Sequence, residues 1–431
     1  MKVINLIFSA FAVCFFAISN VSGKEVKPKV LVYGDNIEAF AAAMQSARSN
    51  VPTLWVVPSK TFCSGCFVND NFKMVNDTLG GGIWSSILKE VHRQQNGKDS
   101  TVHFTSLSLT PQLVLNAMQS LVAKETNLNV LYDMRVKKVV NSIKNVEVEF
   151  INKKKVKVNA VVDISEDLPL LLATDAGFSL QKKQPQYLLE GRFKDLSSNI
   201  IRTLVAVGYD HKNQACGYTL ESLLNGSVGN IFYSEVNERN LSGDEDIIYR
   251  FNKAQAIGAS AAYCAFFKTT SDKIDVRKLQ TELMSFDSRL LPFVDVSTED
   301  PNFNSVQKFF LTQILPWDKA KIPLNFNGSD SVSVESVRPV LQQFYSRAQL
   351  WFVDNKVEYF KTKDFIELLK VVSFRGNELN DEISKSWKKR FKFPNEFDLN
   401  RMISRYEFAV LLETYASPFA KRISFDGTIL K

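Results

Sequence analysis

Three residues at fixed spacing after a short apolar run could bind the phosphates of a nucleotide. Gly34, Asn36 and Ala39 follow the apolar residues 30–33 and occupy the three places of a glycine-rich phosphate-binding fingerprint. In that fingerprint the first glycine makes a tight turn, the second lets a pyrophosphate approach the backbone, and the third lets the helix pack closely on the strand. Ala39 keeps the third place small, whereas Asn36 adds a side chain beside the phosphates. The spacing leaves nucleotide binding and a purely structural turn as equal alternatives.

The charged and polar residues around this turn bear on whether it can bind a nucleotide. Asp35 and Glu38 place negative charge at the start of the predicted helix, which suits the helix dipole but opposes a bound phosphate. At the end of the next strand an acidic residue would bind the ribose hydroxyls, but Val57, Pro58 and Ser59 stand there instead. The candidate cofactor-binding residues of this region are Gly34, Asp35, Asn36, Glu38, Ala39 and Ser59.

Cys63 and Cys66 form a second candidate motif, directly after this strand. In an oxidising compartment such a pair is a local disulfide or two unpaired thiols. The alternative is a redox-active dithiol that exchanges electrons with a nearby flavin. A zinc site is not expected, because no second Cys/His pair has the spacing of zinc ligands.

A βαβ unit must position these residues. Residues 30–33 predict a buried strand, residues 37–48 an alanine-rich helix, and residues 53–57 a second strand that Pro58 ends. The unit is about 30 residues long, the size of a dinucleotide-binding element. The pattern further predicts a helix at 83–93, a helix that begins at Pro111 after the N-cap Thr110, a strand at 129–132, and a β-meander over 135–141, 146–152 and 155–162.

Length and composition are typical of an exported globular protein. The 431 residues are 45% hydrophobic and 23% charged, which allows two or three domains with substantial cores. The net charge is +7, but Lys and Arg are interspersed with Asp and Glu, so no nucleic-acid partner is expected. Residues 1–23 have the positive start, the apolar stretch and the small-residue end of a secretory signal. We therefore expect a secreted or periplasmic protein whose mature chain has no transmembrane segment.

The order of these elements resembles secreted FAD-dependent oxidoreductases of the xanthan-lyase-associated type. Residues 33–43 align with the family's Tyr-Gly-Gly-Thr turn and alanine-rich helix, and residues 81–86 with its Gly-Gly-x-x-x-Glu helix. Asp163 matches the aspartate that opens the family's second flavin motif. Gly258 matches the glycine of the family's late Gly-x-Ala-Ala helix, whose N-terminal end approaches the flavin.

The resemblance implies an α/β fold: an FAD/NAD(P)-binding Rossmann-like domain, a β-rich inserted substrate domain and a C-terminal helical region. It implies FAD as the cofactor, Asp163 and Gly258 as further cofactor-binding residues, and hydride transfer on a carbohydrate or small alcohol. It identifies no catalytic residue. Asn36, Val57 and residues 164–166 depart from the family's motifs. The alternative is therefore a non-catalytic relative that has lost FAD and acts as an envelope binding or structural protein.

The C-terminal part of the chain resembles S-layer-homology-like modules. Residues 292–296 match their Phe-x-Asp-Val segment, and the helices predicted after Thr362 and Ser404 repeat a Ser/Thr-led, leucine-rich pattern with those residues as N-caps. The resemblance implies packing on the flavin domain or contact with a cell-envelope polysaccharide. The predicted organisation is a signal peptide at 1–23, an FAD-binding-like domain at 24–180, an inserted region at 181–240, return helices at 241–290 and the helical region at 291–431.

Overall fold

The computed structural model describes residues 27–63, 66, 78–96, 109–142, 145–165, 167–174, 190–210, 214–225, 227–233 and 247–430. Within them the chain is a mixed α/β protein, as the sequence predicts, with a mostly parallel sheet, two antiparallel sheets and a helical C-terminal part. The predicted secretory signal at 1–23 lies outside the described residues.

The strands are β1 Val30–Tyr33, β2 Thr53–Val56, β3 Leu128–Leu131, β4 Val136–Ser142, β5 Asn145–Phe150, β6 Lys155–Val158, β7 Ala160–Asp163, β8 Glu190–Arg192, β9 Leu204–Tyr209, β10 Ala215–Thr219, β11 Ser227–Val228 and β12 Ile231–Tyr233. The helices are α1 Ile37–Arg48, α2 Gly82–Asn96, α3 Pro111–Lys124, α4 Pro169–Leu172, α5 Ser198–Ile201, α6 Leu220–Asn225, α7 Ile247–Phe267, α8 Val276–Ser285, α9 Phe303–Phe310, α10 Val334–Phe344, α11 Ala348–Asp354, α12 Thr362–Ser373, α13 Glu378–Lys389 and α14 Arg405–Ala416.

The central sheet has the strand order β11-β12-β7-β1-β2-β3, and all neighbours are parallel except β11 and β12. All four residues of β1, β2 and β7 are buried, as expected for parallel strands covered on both faces. The β1-α1-β2 unit confirms the predicted βαβ element. The N-cap Thr110 is also confirmed, because its hydroxyl accepts a hydrogen bond from the Leu113 amide at 3.3 Å.

The predicted strand at 155–162 is wrong in one respect, because it is two strands in different sheets. β6 pairs with β5 in the antiparallel sheet β4-β5-β6, whereas β7 pairs with β1 in the central sheet. The chain crosses between the sheets at Asn159, whose amide donates to the Lys29 carbonyl oxygen at 2.8 Å. Side chains of β6 alternate in exposure while those of β7 are all buried, so only the packing around each half separates them.

The inserted region also contributes to the central sheet. β9 and β10, with β8, form a separate antiparallel sheet, but β12 pairs in parallel with β7. Residues 230–233, which the sequence assigns to the insertion, therefore extend the nucleotide-binding-like sheet beyond β7.

Helix α1 packs against α7 at a point that requires glycine. A Cβ atom added to Gly258 would lie 2.3 Å from the carbonyl oxygen of Ala42 and 2.7 Å from its Cα atom. These are backbone atoms of α1, which cannot move aside as a flexible side chain could. Small residues on both helices thus allow close approach, which accounts for the alanine-rich pattern of α1.

Three short segments of the C-terminal part form a closed ring of backbone hydrogen bonds, and each segment leads into a helix. The ring segments are residues 331–333, 359–361 and 402–404, which precede α10, α12 and α14. The amide of the first residue of each helix donates to the carbonyl oxygen of the residue that precedes the next segment. These bonds are Val334 to Glu358 at 2.9 Å, Thr362 to Arg401 at 2.9 Å, and Arg405 to Asp330 at 2.8 Å.

Equivalent positions of the ring segments have equivalent environments. The middle residues Val332, Phe360 and Ile403 are buried, and the residues before them, Ser331, Tyr359 and Met402, are exposed. The third residues are the N-caps, so the N-cap of α12 is Lys361 rather than the predicted Thr362. Ser404 is confirmed as an N-cap, and its capping box with Glu407 is complete.

Two buried arginines join the C-terminal part to the α/β part. Arg202 donates hydrogen bonds to the carbonyl oxygens of Thr312 at 3.0 Å and Gly427 at 3.1 Å. Arg277 on α8 donates to the Leu311 carbonyl oxygen at 3.3 Å, and burial lowers its pKa to about 9, with the nearby charge of Arg202 as a second cause. Because these guanidinium groups are satisfied by carbonyl oxygens of the other part, the two parts are held by buried polar contacts as well as apolar ones.

Across the described residues, every helix is too short or too polar to span a bilayer.

The substitution Gly258→Ala tests the contact between α1 and α7. The added methyl group would overlap backbone atoms of Ala42, so we expect a loss of about 1–3 kcal/mol in the free energy of unfolding despite the better helix propensity of alanine. Denaturant unfolding followed by circular dichroism measures it. Gly376→Ala is the matched control, because the nearest atom there is the flexible end of Glu378, and its effect should stay within about 0.5 kcal/mol. Equal effects at both sites would contradict this packing role.

Candidate functional site

Most candidate residues come together where three neighbouring parallel strands end. β7, β1 and β2 are adjacent and parallel, so their carboxyl ends share one edge of the sheet. Asp163 ends β7, Gly34, Asp35 and Asn36 follow β1, and Ser59 comes shortly after β2. In open α/β sheets, ligands bind outside the carboxyl ends of the strands, so this edge is the expected place for a nucleotide.

Gly34 and Ala39 have the geometry of the first and third fingerprint places. Gly34 has a φ of +145°, a backbone conformation that residues other than glycine rarely adopt. An added Cβ would also lie 3.0 Å from the Ile164 carbonyl oxygen and 3.1 Å from Ala39 Cβ. The turn is therefore tight, and the start of α1 lies directly against the end of β7.

Asn36, at the second fingerprint place, closes this turn with its own side chain. It is the N-cap of α1, and its Oδ1 accepts a hydrogen bond from the Ala39 amide at 2.8 Å. Its Nδ2 donates to the Ile164 carbonyl oxygen at 2.7 Å. One side chain thus satisfies a first-turn amide of α1 and also joins the turns that follow β1 and β7.

Ser59 and Asp35 meet on the other side of the same turn. The Ser59 hydroxyl lies 2.9 Å from Asp35 Oδ2 and 2.6 Å from the Thr61 carbonyl oxygen, and it can donate its proton to either. The Ser59 carbonyl oxygen accepts from the Asp133 amide at 3.0 Å. The acidic group beside the end of β2 therefore comes from the β1–α1 turn instead of from β2 itself.

Glu38 is buried, with 8% of its surface exposed, and it faces a partner that the sequence analysis missed. Arg250 Nε on α7 donates to Glu38 Oε1 at 2.5 Å. The second carboxylate oxygen, Oε2, is buried without a hydrogen-bond partner among the described residues. The two residues are 212 positions apart, so no local sequence pattern could have paired them.

Asp163 is fully buried, and its carboxylate is used within the chain. Oδ1 accepts from the Ser165 hydroxyl at 2.7 Å, and Oδ2 accepts from the amides of Leu170 at 2.7 Å and Leu171 at 3.1 Å. Burial raises the pKa of this carboxyl to about 6, although these hydrogen bonds favour the charged form. Asp163 thus holds the start of α4 at the end of β7.

Cys63 and Cys66 are free thiols, and both contact the β1–α1 turn. The Cys63 amide donates to the Asp35 carbonyl oxygen at 2.5 Å, and the Cys66 thiol is 3.8 Å from that oxygen. Burial raises the pKa of the Cys63 thiol well above its usual value, and the neighbouring Cys66 thiol adds to the shift. Cys63 therefore resists loss of its proton to form a thiolate.

Gly258 stands apart from the edge. It lies about three turns into α7, where it contacts Ala42 of α1, so its observed role is helix packing. The structure brings the other candidates together, but it does not place Gly258 beside them.

The residues of this edge do not fit a pyrophosphate bound as in the glycine fingerprint. A phosphate at a helix N-terminus needs free backbone amides, and Asn36 already accepts from that of Ala39. Asp35 and Glu38 both bring negative charge to the start of α1, Asp35 beside Ser59 and Glu38 beside Arg250, and this charge opposes a phosphate there. Asp163 has no oxygen left for a ligand without releasing Ser165 or the start of α4.

The pH dependence of stability tests the environment of Asp163. Its pKa of about 6 in the folded protein exceeds its ordinary value of 3.8, so the folded state holds a proton that the unfolded chain loses first. The protonated carboxyl therefore contributes about 3 kcal/mol to the free energy of unfolding below about pH 4. This contribution is lost as the pH rises through about 6.

Asp163→Asn removes this titration. The free energy of unfolding of the variant should therefore decrease less between pH 4 and 6.5 than that of the wild type, by up to about 3 kcal/mol. Urea unfolding at a series of pH values measures the slope, which is compared instead of the absolute stability because asparagine also loses an acceptor. The same change at exposed Asp354 is the control and should leave the wild-type slope. An unchanged slope in Asp163→Asn would show that this carboxyl does not titrate as inferred.

Comparison with known proteins gives a family match over part of the chain. Residues 29–221 match the family described as FAD dependent oxidoreductase. No curated protein matches the sequence. Similar solved structures include the bacillithiol disulfide reductase Bdr (YpdA) of Staphylococcus aureus, with a TM-score of 0.24, 12% identity, and 32% of this chain and 38% of that chain covered. They also include the p-nitrophenol 4-monooxygenase PnpA of Pseudomonas putida DLL-E4, with a TM-score of 0.21, 10% identity, and coverage of 32% and 40%.

These alignments span less than half the length of either solved structure. The family match covers β1 to the start of α6 and includes every candidate residue except Gly258. Residues 29–221 thus match the FAD dependent oxidoreductase family model, and the central parallel sheet within them has the Rossmann-like arrangement.

Proposed function

We propose that this protein is a flavin-free relative of the FAD-dependent oxidoreductases that acts as a binding or structural protein at the cell envelope. The observation that carries the proposal is the side chain of Asn36, which occupies the pyrophosphate side of the β1–α1 turn. It accepts from the Ala39 amide and donates to the Ile164 carbonyl oxygen, so both of its polar atoms are used within the chain.

The charges of the edge support the same conclusion. Asp35 and Glu38 put two carboxylates at the start of α1, where the helix dipole would otherwise favour a pyrophosphate. Arg250 compensates the charge of Glu38, but it does so from α7 and with Glu38 as its partner, which leaves less positive charge for a phosphate.

The envelope role rests on the two ends of the chain. The predicted secretory signal at 1–23 supports export to a secreted or periplasmic location. The ring segments give three strand–helix units in equivalent environments, which supports the resemblance to S-layer-homology-like modules. Tyr359 is exposed at one of the equivalent positions and offers an aromatic surface of the kind that sugar rings contact. We infer contact with a cell-envelope polysaccharide at this ring.

A second candidate function follows from the family match over residues 29–221. In it the protein is an exported FAD-dependent oxidoreductase, close to the xanthan-lyase-associated type, that acts on a carbohydrate or small alcohol. FAD would supply the hydride chemistry, and the chain would bind and orient the two partners. This function requires Asn36 to release the Ala39 amide, from which it now accepts a hydrogen bond. Cys63 and Cys66 would then lie beside the cofactor turn.

Binding of FAD separates the two candidates. We expect the purified protein to be colourless and to leave the fluorescence of added FAD unquenched, because the turn is closed by Asn36. Asn36→Gly introduces the second glycine of the general fingerprint and opens the Ala39 amide, so any FAD quenching should be stronger in the variant than in the wild type. Ser49→Gly, at the far end of α1, is the matched control and should behave as the wild type.

A yellow protein that releases stoichiometric FAD on denaturation would reject the flavin-free function and establish the second candidate. Quenching by the wild type at least as strong as that by Asn36→Gly would show that Asn36 does not block the turn.

Sedimentation with insoluble bacterial cell-wall polysaccharide tests the envelope role. We expect the protein to co-sediment and Tyr359→Ala to weaken binding about tenfold, as for the loss of about 1.4 kcal/mol. Leu350→Ala, which truncates an exposed residue of α11 outside the ring, is the matched control and should bind as the wild type does. Absence of the wild type from the pellet would reject polysaccharide binding, and equal binding of both variants would place it away from Tyr359.

A further inference from the structure

Cys63 and Cys66 are held by one turn in a geometry that suits a disulfide. The Cys66 amide donates to the Cys63 carbonyl oxygen at 3.3 Å, and a hydrogen bond between residues three positions apart is that of a β-turn. Such a turn keeps the first and last Cα atoms within about 7 Å. Disulfides join cysteines whose Cα atoms are about 4.4–6.8 Å apart, and the two thiols already interact with each other.

Both cysteines are also fixed to the β1–α1 turn. The Cys63 amide and the Cys66 thiol share one acceptor, the Asp35 carbonyl oxygen, at 2.5 and 3.8 Å. The chain that leaves β2 is thus held on the same turn that Asn36 closes from the other side. A covalent link between the cysteines would replace the Cys66 thiol hydrogen bond and leave the Cys63 amide bonded to Asp35.

The two thiols differ in access. Cys63 is 2% exposed, and the nearby carboxylates of Glu38 and Asp35 add to the effect of burial in disfavouring its thiolate. Cys66 is half-buried and packs against the rim of the core. Because exchange starts from an accessible thiolate, Cys66 is the attacking residue and Cys63 the resolving one.

We propose that Cys63 and Cys66 are a modification site at which a low-molecular-weight disulfide oxidises the pair to an intramolecular disulfide. Cys66 loses its proton to solvent, and its sulfur attacks one sulfur of the small disulfide; the S–S bond breaks and one small thiol leaves. Cys63 then loses its proton, and its sulfur attacks that of Cys66, which releases the second small thiol. The pair loses two electrons and two protons, and the small disulfide gains them. This site does not depend on whether FAD is bound.

The test treats the folded protein, first reduced with dithiothreitol and desalted, with oxidised glutathione. Free thiols are then blocked and the peptides are mapped by mass spectrometry. We expect a Cys63–Cys66 disulfide, while the buried Cys216 and Cys264 remain thiols as internal controls. In Cys63→Ser the reaction should stop at a glutathione adduct on Cys66. In Cys66→Ser, Cys63 should react at least about tenfold more slowly than Cys66 does in the wild type. Cys216→Ser should give the same disulfide as the wild type.

Two results would overturn the proposal. One is a wild type that accumulates the Cys66 adduct to the same extent as Cys63→Ser, since Cys63 would then not resolve it. The other is a folded wild type in which neither cysteine reacts although both react after unfolding. Circular dichroism of each variant shows whether it is folded, and the wild-type peptide map decides the question even if Cys63→Ser does not fold.

Discussion

The side chain of Asn36 is the contact on which the functional edge of this protein depends. It lies between two parallel strand ends, and each of its two polar atoms satisfies a backbone group of a different turn. The amide of Ala39 and the carbonyl oxygen of Ile164 are groups that a tight turn exposes and that water or a ligand would otherwise satisfy. Removal of this side chain would leave both to water or a ligand, so the residue that departs from the fingerprint also completes the turn around it.

The neighbouring acids follow the same logic. Asp163 is turned inward to the start of α4, Asp35 toward Ser59, and Glu38 toward Arg250. Each carboxylate that a cofactor could have used has a partner from the chain, with the exception of one buried oxygen of Glu38. A buried charge is costly unless it is paired, and this favours a site that is satisfied without a ligand.

The C-terminal part is joined to this domain by polar as well as apolar contacts. Arg202 and Arg277 donate to carbonyl oxygens of both parts, and Arg277 remains buried next to another cation. The ring segments are joined to one another by hydrogen bonds between backbone groups that are distant in sequence.

The sequence by itself determined the βαβ unit, the caps Thr110 and Ser404, and the meeting of the β1 and β2 turns, because these follow from local periodicity and from the rule that parallel strands share one edge. It did not divide residues 155–163 between two sheets, because a single residue, Asn159, separates β6 from β7 and the two strands differ in their partners, β5 and β1. Nor could it assign Gly258 to the contact with α1 or Arg250 to Glu38. Those pairings join residues that are far apart in the chain, and no local sequence pattern indicates which distant residues meet. The tertiary structure alone therefore decided whether the polar groups of the site are open to a ligand or bonded within the chain.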